Sequence, residues 1–557
     1  MVINGYRAQY TIAELHSTTA NSVTPTPPTE IISSLFDAGP WPILRIGLHA
    51  AFFLIVFLIL RLLFKLRGQT DLRHLAKPKH WLQVPMIGLI LLFVGVLGYQ
   101  ATWQLTGLLR PKFVNFMQSH DRRQFNPAHR IQRGRIADQR GVVLAYSQDY
   151  RGKVYRRYPY GSAFAHVVGY SDPRFGAAGM ESAASVHLNG GAPTDLTAWT
   201  ELGRQLLTQD KRPQGQDLIL TLDADLQLMA YERLGEQHGA VVLLRPSDGA
   251  IRVMVSTPSY DPNRISASLF QSPRDGAPLL NRATQGQYPP GSTFKVVLAA
   301  QALNAGFRGT LHCPADGYAT SSRYRKIRDH EYYSARRSGQ TWKGHGRLSL
   351  DTALAKSSNV FFAQLGVGYG HDAFYETMQR FLFNQDIVLY ETPYGTTTMT
   401  TGRIPRIADS DQYGLAQLSM GQGRMLATPA HMALIAAAVA NQGVAMRPRL
   451  VRDDPPIVLA RFMSATDARQ LAKMMRRVVT DGTGRGINVE ELSIAGKTGT
   501  AQNPQGKPHS WFIGFAPADH PALAVAVLVE HGGYGSTNAA PMARDLLLKA
   551  QELGLMN

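Results

Sequence analysis

The sequence predicts an α+β fold: one long domain whose sheet is closed by strands from both of its ends, with helices between. Three observations predict it. Apolar strand-like runs flank a turn at 240–255, and two more lie at 510–515 and 523–529. Helical runs at 295–303 and 431–440 fall between those two sets. At 557 residues the chain exceeds what one hydrophobic core fills, so at least two domains are expected outside any membrane segment.

From the N-terminus, residues 1–40 include Thr24-Pro25-Thr26-Pro27-Pro28 and read as a flexible tail. Residues 41–109 read as a membrane anchor. The run 46–60 has no charge and continues past Arg61 to Phe64, and 80–109 contains no Asp, Glu, Lys or Arg. Crossing a hydrocarbon core of ~30 Å takes about 20 residues, so two transmembrane helices are expected at about 43–64 and 82–105. Trp81, Tyr99 and Trp103 suit the interfaces. Arg61, Lys65, Arg67, Arg73, Lys77 and Lys79 stand against Asp71 between the spans, whereas the tail has Arg7 against Glu14, Glu30 and Asp37. The positive-inside bias keeps the connection in the cytoplasm and sends both the tail and everything after Leu109 outward. Arg110, Lys112, Arg122 and Arg123 oppose that orientation, but a large downstream domain translocates regardless of such charges. A tail of about 40 residues before the first span is a poor match to a cleaved signal peptide.

Residues 110–217 are basic and glycine-dotted, as a small, partly extended domain would be, and 218–557 carries the regular pattern. Its start, 219–223, reads as a strand leading to a helix through Leu226, Met229 and Leu234. Strands at 240–244 and 250–255 flank the turn Pro246-Ser247-Asp248-Gly249. A helical run covers 348–355, and Pro517 to Pro521 turns between the last two strands. The net charge of +18 comes without a recognisable nucleic-acid module, which leaves a solvated surface beside an anionic membrane face. The single cysteine, Cys313, can form no intrachain disulfide, and no Cys/His zinc spacing exists, so no metal site is expected.

Three short segments carry chemistry. In Tyr288-Pro289-Pro290-Gly291-Ser292-Thr293-Phe294-Lys295 two prolines and a glycine make an abrupt turn, and a helix starts at or beside Ser292. Three helical positions put Ser292 and Lys295 on one face. A serine hydroxyl needs an adjacent base, and a lysine serves when desolvation or a second cation keeps it neutral. Lys356-Ser357-Ser358-Asn359 follows the helical run; an extended turn aims Ser357 and Asn359 the same way, one to relay a proton and one to hold a peptide carbonyl. Gly496-Lys497-Thr498-Gly499-Thr500 lies between apolar 492–495 and a predicted strand. Its cation and hydroxyls suit a carboxylate, and Gly499 would let a ligand backbone lie close. A phosphate-loop reading fails because Glu491 stands where that motif needs glycine. Alone, the first segment is an ordinary helix cap with a surface lysine and the second an ordinary helix end.

Together, in this order, they resemble the Ser-x-x-Lys, Ser-x-Asn and Lys-Thr-Gly signature of the penicillin-recognising serine enzymes. Ser357 follows Ser292 by 65 residues and Lys497 follows Ser357 by 140, compatible with a transpeptidase-sized domain. Met420-Gly421-Gln422-Gly423 and Ala427-Thr428-Pro429 resemble the family's segment before its final helix pair, and Thr428 with Pro429 also makes a good helix start. Arg133-Gly134-Arg135-Ile136-Ala137-Asp138-Gln139-Arg140-Gly141 and Gly179-Met180-Glu181 resemble boxes of the class B pedestal domain, with a structural role only. Gln139-Arg140 departs from the more usual Arg-Asn there, as two apparent spans depart from the usual one.

The resemblance implies a penicillin-binding transpeptidase domain over 218–557, preceded by a pedestal at 110–217. It implies a peptidoglycan D,D-transpeptidase that needs no cofactor and is inhibited by β-lactams, and it implies roles for individual residues. Ser292 is the nucleophile and Lys295 its base. Ser357, near Lys497, passes a proton to the leaving amine. The N–H groups of Ser292 and Thr500 form the oxyanion hole, Thr498 and Thr500 bind the terminal carboxylate, and Asn359 fixes the acyl chain. Implied partners are D-Ala-D-Ala stem peptides, the membrane and a polytopic glycan polymerase of the SEDS type, with no nucleic acid. β-Lactamases and small carboxypeptidases share the three segments but lack the pedestal; a β-lactam sensor would not need it, and a non-catalytic scaffold would tolerate Ser292→Ala in cells. Glu391 lies where a β-lactamase would carry its deacylating glutamate, but in a loop-like context. His345 reads as a loop or packing residue.

Overall fold

The computed structural model describes residues 132–556 except 152, 191–214, 272–275, 393–394 and 505, together with Arg61 and most of 88–99, which are helical. The tail expected at 1–40, nearly all of the anchor expected at 41–109 and the start of the pedestal at 110–131 lie outside the described residues. No helix among the described residues is long and apolar enough to cross a membrane.

The pedestal is organised by the box at 133–141. Strands β1 (Ile136–Ala137), β2 (Val143–Tyr150) and β3 (Lys153–Arg157) form an antiparallel ladder. Helix α1 (Gly179–Ala183) carries the second box, and strand β4 (Leu218–Ile219) returns parallel to β1. The two boxes meet in a buried ion cluster. Arg133 Nε reaches Glu181 Oε2 at 2.7 Å and Arg156 Nε reaches Oε1 at 2.6 Å, with Glu181 fully buried. Burial alone would raise the Glu181 carboxyl; the Arg156 and Arg133 guanidiniums overcome that and hold it below the ordinary glutamate value.

The same box fastens the pedestal to the larger domain. Asp138 Oδ2 accepts from Ala224 N at 3.0 Å, at the start of helix α2 (Ala224–Leu234), whose N-cap Asp223 accepts from Leu226 N. Gln139 donates to Asp223 at 2.9 Å and accepts from Arg252 across the junction. Arg140 pairs with Asp225 at 2.7 Å. The Gln139-Arg140 pair is thus built into contacts with the neighbouring domain, and none of these residues takes part in the cluster of reactive side chains below. The strand expected at 219–223 forms a ladder only in the two-residue β4; Leu220 continues it as a single bridge to Val451, and Asp223 caps α2.

Next come β5 (Gly239–Leu244), β6 (Ile251–Thr257), helices α3 (Lys295–Asn304), α4 (Leu350–Lys356), α5 (Asn359–Arg380), α6 (Pro429–Ala440) and α7 (Ala465–Thr480), strands β7 (Ala495–Ala501), β8 (His509–Ala516) and β9 (Leu523–Val529), and helix α8 (Ala539–Glu552). The five strands form an antiparallel sheet in the order β7-β8-β9-β5-β6. The join between the two ends of the domain is the β9–β5 pair, with Val527 opposite Val241. Alternate side chains feed two cores. Val242, Ile513 and Ala526 face the layer containing α3 and α6; Val241, Phe512 and Val527 face α2 and α8. With both faces covered, every residue of β5 and β9 is buried, which is why these strands read as continuous apolar runs.

Two local details refine the sequence reading. Thr428 Oγ1 accepts from His431 N with Pro429 at the first helical position, so α6 starts as its sequence implies. The helical run expected from 348 begins two residues later, because Gly346–Ser349 pairs with the strand Thr310–Cys313. Ser349 then caps α4.

Candidate active site

The serine-bearing turn is fixed at four points by elements remote in sequence. Tyr288 N donates to Ala427 O at 3.0 Å, the Tyr288 hydroxyl donates to Glu530 at 2.6 Å, Trp511 Nε1 donates to Pro289 O at 3.0 Å, and Gly291 N donates to Gly421 O at 2.9 Å. Gly421 has φ +73°, and a Cβ there would lie 2.1 Å from Gly291 O. The Met420–Gly423 box is therefore the backing of the turn. Residues Gly291–Phe294 make a 3₁₀ turn that runs into α3, putting Lys295 one turn beyond the half-buried Ser292.

Lys295 is fully buried. Its Nζ donates to Ser357 O at 2.6 Å and to Asn359 Oδ1 at 2.7 Å, with Ser357 Oγ at 3.4 Å. Burial lowers its pKa to about 7 against the opposing pull of Asp329 and Glu331. A neutral amine has two N–H donors and one lone pair. The two short bonds use both hydrogens and leave the lone pair as the remaining function. Ser357 ends α4 in the left-handed region, φ +59° and ψ +37°, a strained conformation for a serine. Ser358 then caps α5, so Asn359 sits in its first turn and both motif residues meet the same amine.

The lysine-threonine segment does not precede a strand, as the sequence suggested; it is strand β7, at the edge of the sheet. An edge strand leaves one row of N–H and C=O groups open to an extended peptide. Lys497 is fully buried, donates to Thr498 O at 3.0 Å, and is held well below the ordinary lysine value first by burial and then by Lys295. Among the described residues it makes no hydrogen bond to Ser357, and Ser292 Oγ makes none at all. Thr500 Oγ1 accepts from Gly535 N at 3.5 Å.

Gly499 is required by packing within the protein itself. A Cβ there would lie 2.8 Å from Thr293 Cγ2, 2.9 Å from Trp511 Cβ and 3.2 Å from Pro290 O. The glycine lets the protein's own serine turn lie against β7. Gly499→Ala should push the turn off the strand and lower the rate of acylation by benzylpenicillin about 100-fold, as a displacement of about 1 Å does, and overpacking this buried contact should lower the melting temperature while most of the chain stays folded at the assay temperature. Stopped-flow acylation beside a thermal melt measures both.

Thr483 is a neighbour that no motif announced. Its hydroxyl shares a 2.6 Å hydrogen bond with that of Thr498, while its backbone N–H donates to Ala355 O in α4. It ties the Ser357 end of α4 to β7, and its flanking glycines, Gly482 and Gly484, were the only signal in sequence. Glu391 is exposed in the hairpin Asp386–Thr392/Gly395–Thr400, and its neighbour Thr392 bonds Ala183 O of the pedestal at 3.3 Å. That hairpin belongs to the pedestal side of the domain. His345 packs edge-on to Trp342 in the loop before 346–349.

The family described as "Penicillin binding protein transpeptidase domain" matches residues 239–548, and "Penicillin binding protein A dimerisation domain" matches 133–218. Peptidoglycan D,D-transpeptidase PbpA of Mycolicibacterium smegmatis is 34% identical over 460 residues, covering 76% of this chain and 90% of that protein. Peptidoglycan D,D-transpeptidase MrdA of Acinetobacter baumannii is 31% identical over 461 residues, covering 70% and 65%. The ceftriaxone acyl-enzyme structure of penicillin-binding protein A from M. tuberculosis superposes with a TM-score of 0.66 at 31% identity, covering 76% of this chain and 99% of that one. With its transpeptidase fold, its dimerisation-type pedestal and these relatives, the chain belongs to the class B penicillin-binding proteins, the serine D,D-transpeptidases of peptidoglycan.

Proposed function

We propose that Ser292 Oγ attacks the carbonyl carbon between the last two D-alanines of a stem peptide while Lys295 takes its proton. The bond to the terminal D-alanine breaks, and that amine leaves with a proton relayed through Ser357. An amine from a neighbouring stem then attacks the acyl-enzyme, forms the cross-link and returns the proton to Ser292. The N–H groups of Ser292 and Thr500 hold the oxyanion, Thr498 and Thr500 the terminal carboxylate against the Lys497 side of the cleft, and Asn359 the acyl chain. The observation that carries this reading is the buried Lys295 amine, with a pKa of about 7 and both hydrogens committed to Ser357 and Asn359. The apolar segments 43–64 and 82–105 anchor the enzyme in the cell membrane with the catalytic domain outside, a topology that the charge distribution around those segments supports; a polytopic glycan polymerase in the same membrane would supply the strands. Intact-protein mass spectrometry after benzylpenicillin is expected to show one long-lived adduct on the unmutated chain and none on Ser292→Ala. An adduct on the variant, or rapid turnover of the drug, would overturn the reading.

A further inference from the structure

The Ser357-Ser358-Asn359 turn is held by a carboxylate that belongs to none of the three motifs. Asp329 lies at the start of the helix His330–Arg337, is 3% exposed, and points at the first turn of α5. Its Oδ1 accepts from Asn359 N at 2.5 Å and Val360 N at 3.1 Å, and the Ser358 hydroxyl stands 3.1 Å from both carboxylate oxygens. Ser358 Oγ in turn accepts from Phe361 N at 3.1 Å. The amides that a helix N-terminus leaves unpaired are thus met by one carboxylate and one hydroxyl. The preceding residue completes the grip, since Asn359 Nδ2 donates to Arg328 O at 3.1 Å. Asn359 is left with its carbonyl oxygen facing Lys295 and its amide nitrogen facing away, and Ser357 is kept in a conformation it would not choose alone.

We infer that Asp329 is a positioning residue for catalysis, setting both the geometry of the Ser357–Asn359 turn and the electrostatics of the Lys295 amine. This rests on the reading of Ser292 and Lys295 as nucleophile and base. The charged groups acting on Lys295 are Lys497 from β7 on one side and Asp329 and Glu331 from the 329–337 segment on the other. His345 stands behind the two carboxylates, its Nε2 3.5 Å from Glu331 and 3.8 Å from Asp329, with His330 also acting on Glu331. Asp329 favours the protonated amine, so removing its charge makes Lys295 easier to deprotonate.

The test is the rate of acylation by a fluorescent penicillin between pH 5.5 and 9 on the full chain, for the unmutated enzyme, Asp329→Asn and Asp329→Glu, each beside a thermal melt. Asp329→Asn places an amide against donors and removes the charge. Its plateau rate should fall at least tenfold, and the acid limb of its profile should move to lower pH. Asp329→Glu keeps the charge and misplaces the oxygens; its plateau should fall while the limb stays. A strut for folding alone would lower the rate only in proportion to the folded fraction and leave both limbs in place, and that result overturns the inference, as do unchanged rates in both variants. Failure of the unmutated chain to acylate at Ser292 would instead overturn the reading beneath it.

Discussion

Lys295→Met is expected to slow acylation by benzylpenicillin by about 10²- to 10⁴-fold, the range that a positioned general base contributes. Methionine fills similar space but its thioether is not basic enough to take the Ser292 proton, and it leaves Ser357 O and Asn359 Oδ1 without their donor. In the unmutated enzyme the rate should rise with pH through about 7, because only the neutral amine accepts the proton and burial holds its pKa there. In the variant that limb should vanish; a limb surviving unchanged near pH 7 would assign it to another group. Stability carries a matching signature. The folded-state pKa is lowered to about 7, while the unfolded chain's lysine titrates near about 10.4. Between those values the unfolded chain binds more protons, so stability should increase with pH across that window. Below about 7 burial of the charged amine is destabilising. Lys295→Met should flatten the dependence, and denaturant melts at pH 6 and 9 measure the difference.

Glu181→Gln is expected to destabilise the protein by about 3–5 kcal/mol, because it leaves Arg133 and Arg156 charged, buried and without their counter-ion. The sign of the pH dependence comes from the direction of the shift. The folded-state pKa of Glu181 lies below the unfolded one, so its contribution is full above the unfolded value of about 4.3 and is lost as pH falls through the folded one. The melts of the variant and the unmutated chain should therefore converge on acidification below about pH 4. The cluster lies in the pedestal and touches no proposed reactive side chain, so the folded variant should still form the penicillin adduct. Equal stability at pH 7 would show that the two guanidiniums find other partners.

The segments that name the chemistry were legible because their requirements are local. A serine three residues before a lysine shares its helix face. Thr428 before Pro429 starts a helix in any context, and β5 and β9 announce themselves as unbroken apolar runs because both faces are covered. The sequence by itself thus marked the central strands of the sheet, the starts of α3 and α6, the two boxes of the pedestal and the three segments that carry the family's signature. Tertiary structure alone decided what those residues are like. Lys295 has its pKa lowered to about 7 because packing buries it completely, and no property of its own segment says so. Gly499 is required by Thr293 and Gly421 by Gly291, both pairings distant along the chain, and Thr498 finds Thr483 outside its own motif. Asp329 reaches Asn359 from 30 residues upstream. Residue type and spacing fix which groups can react; burial, charge and contact between remote segments fix their proton affinity and aim, and those quantities exist only once the chain is packed.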